Sequence, residues 1–397
     1  MFARLRATCK SFKAATKAIV AFAALSALAA CNTTGMPMSN NGPRIDTSKP
    51  VPVALLVPYE SESSSDIELA RSLENAARLA MADLDGVTID LRVYPTGGQA
   101  ERASAAASQA VAAGAKIILG PVYGGSAKLA GIPAANAGIN VVSFSNNPDV
   151  AGGNVFILGN TFRNTADRLT RYAVSQGKSN ILVVNGESAA ESAGAAAIVA
   201  AASRNGARVA GQTSFELSQM GVTQGIPQIT SAVRSTGADA IFFTSGNDGA
   251  MPLLAQLLPE NGVSSPNPQF IGLQRLNVPA SALTLPGLQG SWFATPDVAL
   301  TQTFVSRYSS TYGGPPHSLA GLAYDGIAAI GALVKSGDKN ALTTQGLTRQ
   351  SGFAGVNGVF RFRTDGTNER GLSVATIQNN QVIEIDPAPR AFSGIGF

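Results

Sequence analysis

The chain has 397 residues, 45% hydrophobic and 14% charged, a balance that excludes a disordered polyelectrolyte. Its 42 Gly and 21 Pro follow no repeat period, which excludes collagen. The length exceeds the roughly 250–300 residues that one core organises, so two domains are expected. The formal charge of +4 belongs to the leader. Arg4, Arg6, Lys10, Lys13 and Lys17 precede the first acid, Asp46, and without residues 1–30 the chain carries 24 basic against 25 acidic groups. A nucleic-acid partner therefore has no electrostatic support. Two Cys and one His leave little material for thiol, metal or imidazole chemistry.

Ala18–Ala30 is a run of thirteen residues, apolar apart from Ser26. It is too short to span a bilayer core, which needs about 20 residues, and after a basic start it fits the h-region of a secretory signal covering residues 1–30. Leu28-Ala29-Ala30-Cys31 resembles a bacterial lipobox, which implies cleavage before Cys31 and lipidation of its thiol. An ordinary secretory signal with an incidental Cys31 is the alternative. Lipidation accounts for both cysteines, because Cys9 leaves with the signal and Cys31 is capped. Each buried acyl methylene adds about 0.8 kcal/mol of membrane affinity. By resemblance to known sorting rules, Asn32 after the cysteine implies the outer membrane of a Gram-negative cell. Residues 31–50 are rich in turn formers and read as a flexible tether.

From Val51 the pattern becomes strand–helix alternation. Val53–Val57 is a continuous apolar run, as expected of a strand buried on both faces. Residues 66–84 place Ile67, Ala70, Leu73, Ala77, Ala80 and Leu84 at helical spacing. Strand 89–94, helix 100–113, strand 116–119, a helix from about Gly125 and strand 141–144 complete a first block. The second block repeats the scheme: helix 163–176, strand 181–184, helix 188–205, strand 208–213, helix 223–235, strand 240–244, helix 249–258 and strand 269–272. Gly114-Ala115-Lys116 and Gly237-Ala238-Asp239 occupy the same helix-to-strand turn, and each glycine suits the left-handed residue that ends a helix. This match points to an α/β protein with two copies of one doubly wound lobe. The remainder reads as strand 292–295, helices 301–312 and 319–335, then strands 358–363, 372–378 and 382–385. The last two are joined at Asn379-Asn380 as an antiparallel ribbon.

VALLVPY, KIILGPVYGGSAKLA, VVSFSNNPDV, SNILVVNGE, ADAIFFTSGNDGAMPLLAQL and FAGVNGVFRFRTDG, in this order over residues 51–385, resemble type I periplasmic binding proteins of the leucine/isoleucine/valine-binding kind. FVSRYSSTYGGPPHSLAGLAYDGIAAIGAL is similar to the penicillin-binding protein activators, lipoproteins that use the same fold. The helical-repeat domain found in some of those activators has no counterpart before the first strand. The resemblance implies two Rossmann-like lobes joined by hinge strands and closing on a ligand. Residues 51–158 with 294–356 are expected in lobe one, and 159–293 with 357–397 in lobe two.

Ligands of such sheets sit beyond the carboxyl ends of the strands. Residues 120–126 run from strand through loop to helix start, so the amides near Tyr123 and Gly124 and the Ser126 hydroxyl suit a carboxylate; a serine there also simply caps its own helix. Ser145 and Asn146 follow the next strand and match the family's second contact loop, with Phe144 or Tyr123 as an apolar wall, although Asn-Pro is also an ordinary turn. Residues 185–190 stand where the family has an aromatic contact; Glu187 and Glu191 suit a cation, although acids in a first turn ordinarily complement the helix dipole. Asn247 lies at the strand end where the family reads its ligand. Gln274 replaces the acid that pairs with an amino-acid ammonium and lacks its charge. Its neighbour Arg275 suits an acidic or peptide-like ligand, or is a solvated rim residue.

Catalytic chemistry finds no frame. Ser175-Gln176-Gly177-Lys178 and Ser336-Gly337-Asp338-Lys339 have the Ser-x-x-Lys spacing but cross helix ends, and no Lys-Thr-Gly accompanies them. His317 follows Pro315-Pro316 at a helix entry, and metal-ligand clusters are missing. No cofactor, metal or catalytic residue is expected. The partners expected are a small polar, amino-acid-like or amide ligand, a membrane reached through the lipid anchor, and either an ABC permease or, in the activator reading, a cell-wall synthase.

Overall fold

The computed structural model describes residues 42–392. Cys31 and the signal sequence lie outside the described residues, and none of the described helices is long and apolar enough to cross a membrane. The last part of the expected tether is docked: Ile45 is buried, and its N–H donates to the Lys339 carbonyl at 3.0 Å. One apolar side chain in a polar segment thus anchors the chain before its first strand.

That strand, β1 (Val51–Val57), explains its own sequence. Val53, Leu55 and Val57 enter one hydrophobic cluster, while Ala54 and Leu56 enter another on the opposite face. Two-sided burial is why no polar residue alternates along it. Helix α1 (Ser64–Ala82) packs below with Leu69, Leu73 and Ala77. Strand β2 (Ile89–Pro95), helix α2 (Ala100–Ala112), strand β3 (Ile117–Leu119), helix α3 (Gly124–Asn136) and strands β4 (Val141–Ser143) and β5 (Val155–Ile157) complete a parallel sheet of order β2-β1-β3-β4-β5. The short β5, only Val-Phe-Ile and wholly buried, gives no periodic signal and is absent from the elements expected.

The second half repeats this winding. Helix α4 (Phe162–Ser175) leads to β6 (Asn180–Gly186), α5 (Ala189–Arg204), β7 (Arg208–Phe215), α6 (Gln219–Thr236), β8 (Ala240–Phe243), α7 (Met251–Glu260), β9 (Gln269–Gly272) and β10 (Trp292–Thr295). Their order, β7-β6-β8-β9-β10, is the order of the first sheet, and every pair is parallel. Leu182, Val184 and Phe243 face α6 and α7; Ile181, Val183 and Phe242 face α4 and α5. Gly114 and Gly237 both have positive φ, 86° and 60°, so the two matching turns are built alike.

After β10 the chain returns to lobe one. Helices α8 (Val298–Tyr312) and α9 (Ala320–Lys335) contribute Phe304, Tyr308 and Ile330 to the core around α1. A short helix α10 (Thr344–Leu347) precedes a three-stranded antiparallel sheet, β11 (Phe353–Gly355), β12 (Gly358–Phe362) and β13 (Asn368–Arg370). Here the expected boundary at residue 357 moves. Phe353, Phe360 and Phe362 all belong to the lobe-one core, and the Phe362 ring meets Phe156 of β5 at 5.6 Å. The chain reaches lobe two only after Arg370, where β14 (Ser373–Gln378) and β15 (Gln381–Asp386) extend the second sheet antiparallel to β10. Asn379 and Asn380 turn between them with φ of 52° and 62°.

Candidate functional site

The loops that follow β3, β4 and β5 meet at one end of the first sheet, on the side where the chain crosses to lobe two. Gly120 ends β3 with φ of 89°, and a Cβ there would lie 2.2 Å from the Leu56 carbonyl oxygen. Only glycine lets the loop pass so close to β1. The loops are then tied together: the Phe144 N–H donates to the Pro121 carbonyl at 2.9 Å, and the Ser143 hydroxyl to the same oxygen at 2.7 Å. The Ser143 hydroxyl accepts from the Ser145 N–H, and the Ser145 hydroxyl accepts from the Asn147 N–H, each at 3.1 Å.

This end opens on a cavity of about 410 Å³. Tyr123, Gly124, Ser145 and Asn146 line it, with Val122 and Phe144 as apolar wall. Its floor comes from the crossing segments, among them Gly159, Asn160, Pro296 and Leu372; Leu319 and Leu322 close a side. Helix α3 begins at its rim, and Tyr123 caps that helix without a side-chain bond. The Tyr123 hydroxyl instead donates to Asp66 at 2.5 Å. Partial burial, and then this bond, push its ionisation up to about 12.

Three residues expected at the site stand elsewhere. Ser126 is only 2% exposed and sits within the first turn of α3, outside the cavity lining. Asn247 uses its amide inside lobe two, donating to the carbonyls of Leu276 at 2.8 Å and Val278 at 3.1 Å. Gln274 donates to the Thr244 carbonyl at 3.0 Å and lines a separate hollow with Glu191 and Asp248. Glu191 in turn accepts from the Gly186 N–H and from the hydroxyls of Thr244 and Ser245, which ties β6, β8 and α5 together.

Arg275, which the sequence offers as either a ligand contact or a rim residue, is the charged side chain that the loop after β9 brings to the cavity, where Ala294 of β10 also lines the lobe-two side. It is half-buried, its Nε donates to Asn277 Oδ1 at 3.1 Å, and among the described residues it makes no ion pair. Burial pulls its ionisation below the ordinary arginine value. Arg370 also reaches the cavity but is differently placed. Its Nε donates to the Leu158 carbonyl at 2.9 Å, and its terminal nitrogens lie 3.2 and 3.3 Å from Asp325 Oδ2. Asn357 adds a bond to the same carboxylate at 3.0 Å. Asn368 donates to the Ile157 and Gly159 carbonyls, both at 2.8 Å, and accepts from Asn164. Asn160, Asn357 and Arg370 line the cavity without a local sequence signal; Asn160 follows β5 as Ser145 follows β4, but three buried residues are too few to announce that strand.

Outside the cavity, His317 is half-buried and its Nδ1 accepts from the Leu319 N–H at 3.2 Å, a turn contact at the entry to α9.

Two wound lobes, crossing segments between them and a cavity at the strand ends describe an architecture, and the sequence comparison names it: the periplasmic binding protein family matches residues 50–381. The chain belongs to the periplasmic binding proteins. No curated protein sequence matches it. Among solved structures, a branched-chain amino acid ABC transporter periplasmic ligand-binding protein of Burkholderia xenovorans aligns with a TM-score of 0.68 at 17% identity, over 87% of this chain and 95% of that one. An ABC transporter substrate-binding protein of Desulfitobacterium hafniense in complex with Leu aligns at 0.64 and 18% identity, over 85% of this chain and all, 100%, of that one. A solute-binding protein of an ABC transporter from R. palustris in complex with benzoate gives 0.57 and 16%, over 87% and 100%. At such identities the likeness is one of fold, and it spans nearly the whole of each neighbour.

Proposed function

We propose that this periplasmic binding protein captures a small polar solute between its lobes and presents it to an ABC permease. The observation that carries this reading is the cavity at the carboxyl ends of β3, β4 and β5, walled from lobe two by Arg275 and floored by the crossing segments. Its volume lies within the roughly 300–1,000 Å³ of small-molecule sites, and it mixes apolar walls with a few polar groups as such sites do. The structural neighbours solved with Leu and with benzoate support a ligand of that size. Tyr123, Gly124, Ser145, Asn146 and Arg275 would hold the solute. Ser126, Asn247 and Gln274 would act behind them, by positioning loops.

The family places such proteins in the periplasm, and Leu28-Ala29-Ala30-Cys31 supports attachment there through a lipid on Cys31, at the outer membrane if Asn32 sorts as it does in other lipoproteins. A melting-temperature screen of the purified protein against amino acids, amides, carboxylates and muropeptides tests the reading. A ligand at 100 times its Kd adds about 2.7 kcal/mol of stability. If no small molecule raises the melting temperature while a cell-wall synthase domain binds, the transport reading fails and the activator role replaces it.

A further inference from the structure

The cavity has a charge pattern that narrows the ligand. No Asp or Glu is among its lining residues. The acids near its edges are engaged elsewhere: Asp66 accepts from Tyr123 and Ser61, Asp297 accepts from the Leu300 N–H, and Asp325 lies against Arg370. Glu191 and Asp248 face the separate lobe-two hollow with Gln274. On the positive side, Arg370 is balanced by Asp325, whereas Arg275 has one neutral partner, Asn277, and no carboxylate. A half-buried guanidinium without a counter-charge is costly for a protein to keep unless a ligand supplies the anion. The amide end of α3, at Gly124, adds positive potential from the other wall.

We propose that the cleft selects a small carboxylate with an apolar body and no ammonium group, bound through Arg275. The body would pack on Val122, Phe144, Leu319 and Leu322, and an α-ammonium would enter a space that offers it no acid. This inference rests on the ligand-binding reading of the same cleft and adds the chemical class. It separates the protein from a receptor for free amino acids, where ammonium and carboxylate must both be paired.

The test uses two matched trios and isothermal titration of the purified protein: 4-methylpentanoate, leucine and 4-methylpentanamide, then 3-phenylpropanoate, phenylalanine and 3-phenylpropanamide. In every trio that binds, the carboxylate is expected to bind at least about tenfold tighter than its amino acid and its amide. Arg275→Gln is expected to weaken the carboxylate on the order of 30-fold and to leave the amide unchanged, with Arg275→Lys between. Tighter binding of leucine or phenylalanine than of its carboxylate overturns the proposal and leaves the ligand-binding reading standing. An amide that equals the carboxylate, or an Arg275→Gln variant that binds it within twofold of the parent, overturns it too. Should Arg275→Gln fail to fold, the ranking within the trios on the parent protein and on Arg275→Lys decides. Absence of binding by all six compounds overturns the carboxylate proposal alone; absence of binding across the wider panel above overturns both.

Discussion

Arg370 is only 7% exposed and its partner Asp325 is fully buried, at 0%. Burial pushes the Asp325 carboxyl up and the Arg370 guanidinium down, and each charge opposes the shift in the other. Such a pair contributes little net stability when whole, but removing one partner strands the other. Arg370→Ala is therefore expected to lose about 3–5 kcal/mol in urea denaturation, and the joint replacement Arg370→Met with Asp325→Leu to lose much less. At Gly120 the argument is steric. Alanine would need a left-handed backbone and would meet the Leu56 carbonyl, so Gly120→Ala is expected to cost at least about 2 kcal/mol and to loosen the loop that carries Tyr123. A ligand titration of the surviving fold would show weaker binding.

One scale up, α1 works as a rack for tyrosines. Tyr123 donates to Asp66, Tyr59 to Glu74 at 2.9 Å, and Tyr324 to Asp83, the residue that caps the helix. Partial burial, then the bond to a carboxylate, push all three phenols up to about 12, above the ordinary value of about 10. The native state thus holds these protons more tightly than the unfolded chain. The stability they add is complete below about pH 10 and is lost as pH rises towards 12. Urea denaturation across that range should show the decline, and Tyr59→Phe should flatten it. The sheet β11-β12-β13 makes a second element-scale point. Phe360 is fully buried in the lobe-one core, so Phe360→Ala is expected to cost about 3–5 kcal/mol. Hydrogen exchange should place the loosening in α1 and α9, not in β14 or β15.

For the whole molecule, the crossing segments decide whether two lobes act as one receptor. Asn368 holds the first crossing through the Ile157 and Gly159 carbonyls and reaches α4 through Asn164. Asn368→Ala strands these buried groups, at a cost of about 1–3 kcal/mol. Ligand affinity should fall with it, because the lobe-one loops and Arg275 would no longer be held in register. Closure is itself measurable. A ligand that binds the closed form better shifts the lobes toward it, so small-angle scattering should show a smaller radius of gyration in its presence.

Much of this architecture could be read from local sequence. The runs around Val53–Val57 and Ala240–Phe243, the helix-ending Gly114 and Gly237 and the Asn379-Asn380 turn each express a backbone preference set within a few residues, and their repetition disclosed two like lobes. The loops bearing Tyr123 and Ser145 were legible for the same reason, since a strand end followed by a helix start fixes where a loop lies. Other features depend on partners far away in the chain. Ile45 looked like tether until the Lys339 carbonyl and the lobe-one core received it, and the alternating phenylalanines of β12 suit either lobe until Phe156 is beside them. Gln274 and Arg275 are neighbours leaving one strand, and only the packing of lobe two against the crossing segments determined that the amide turned inward and the guanidinium faced the cleft. Chain-local forces specify elements and turns; which charge looks into the gap is a balance of burial and pairing that exists only once both lobes are in place.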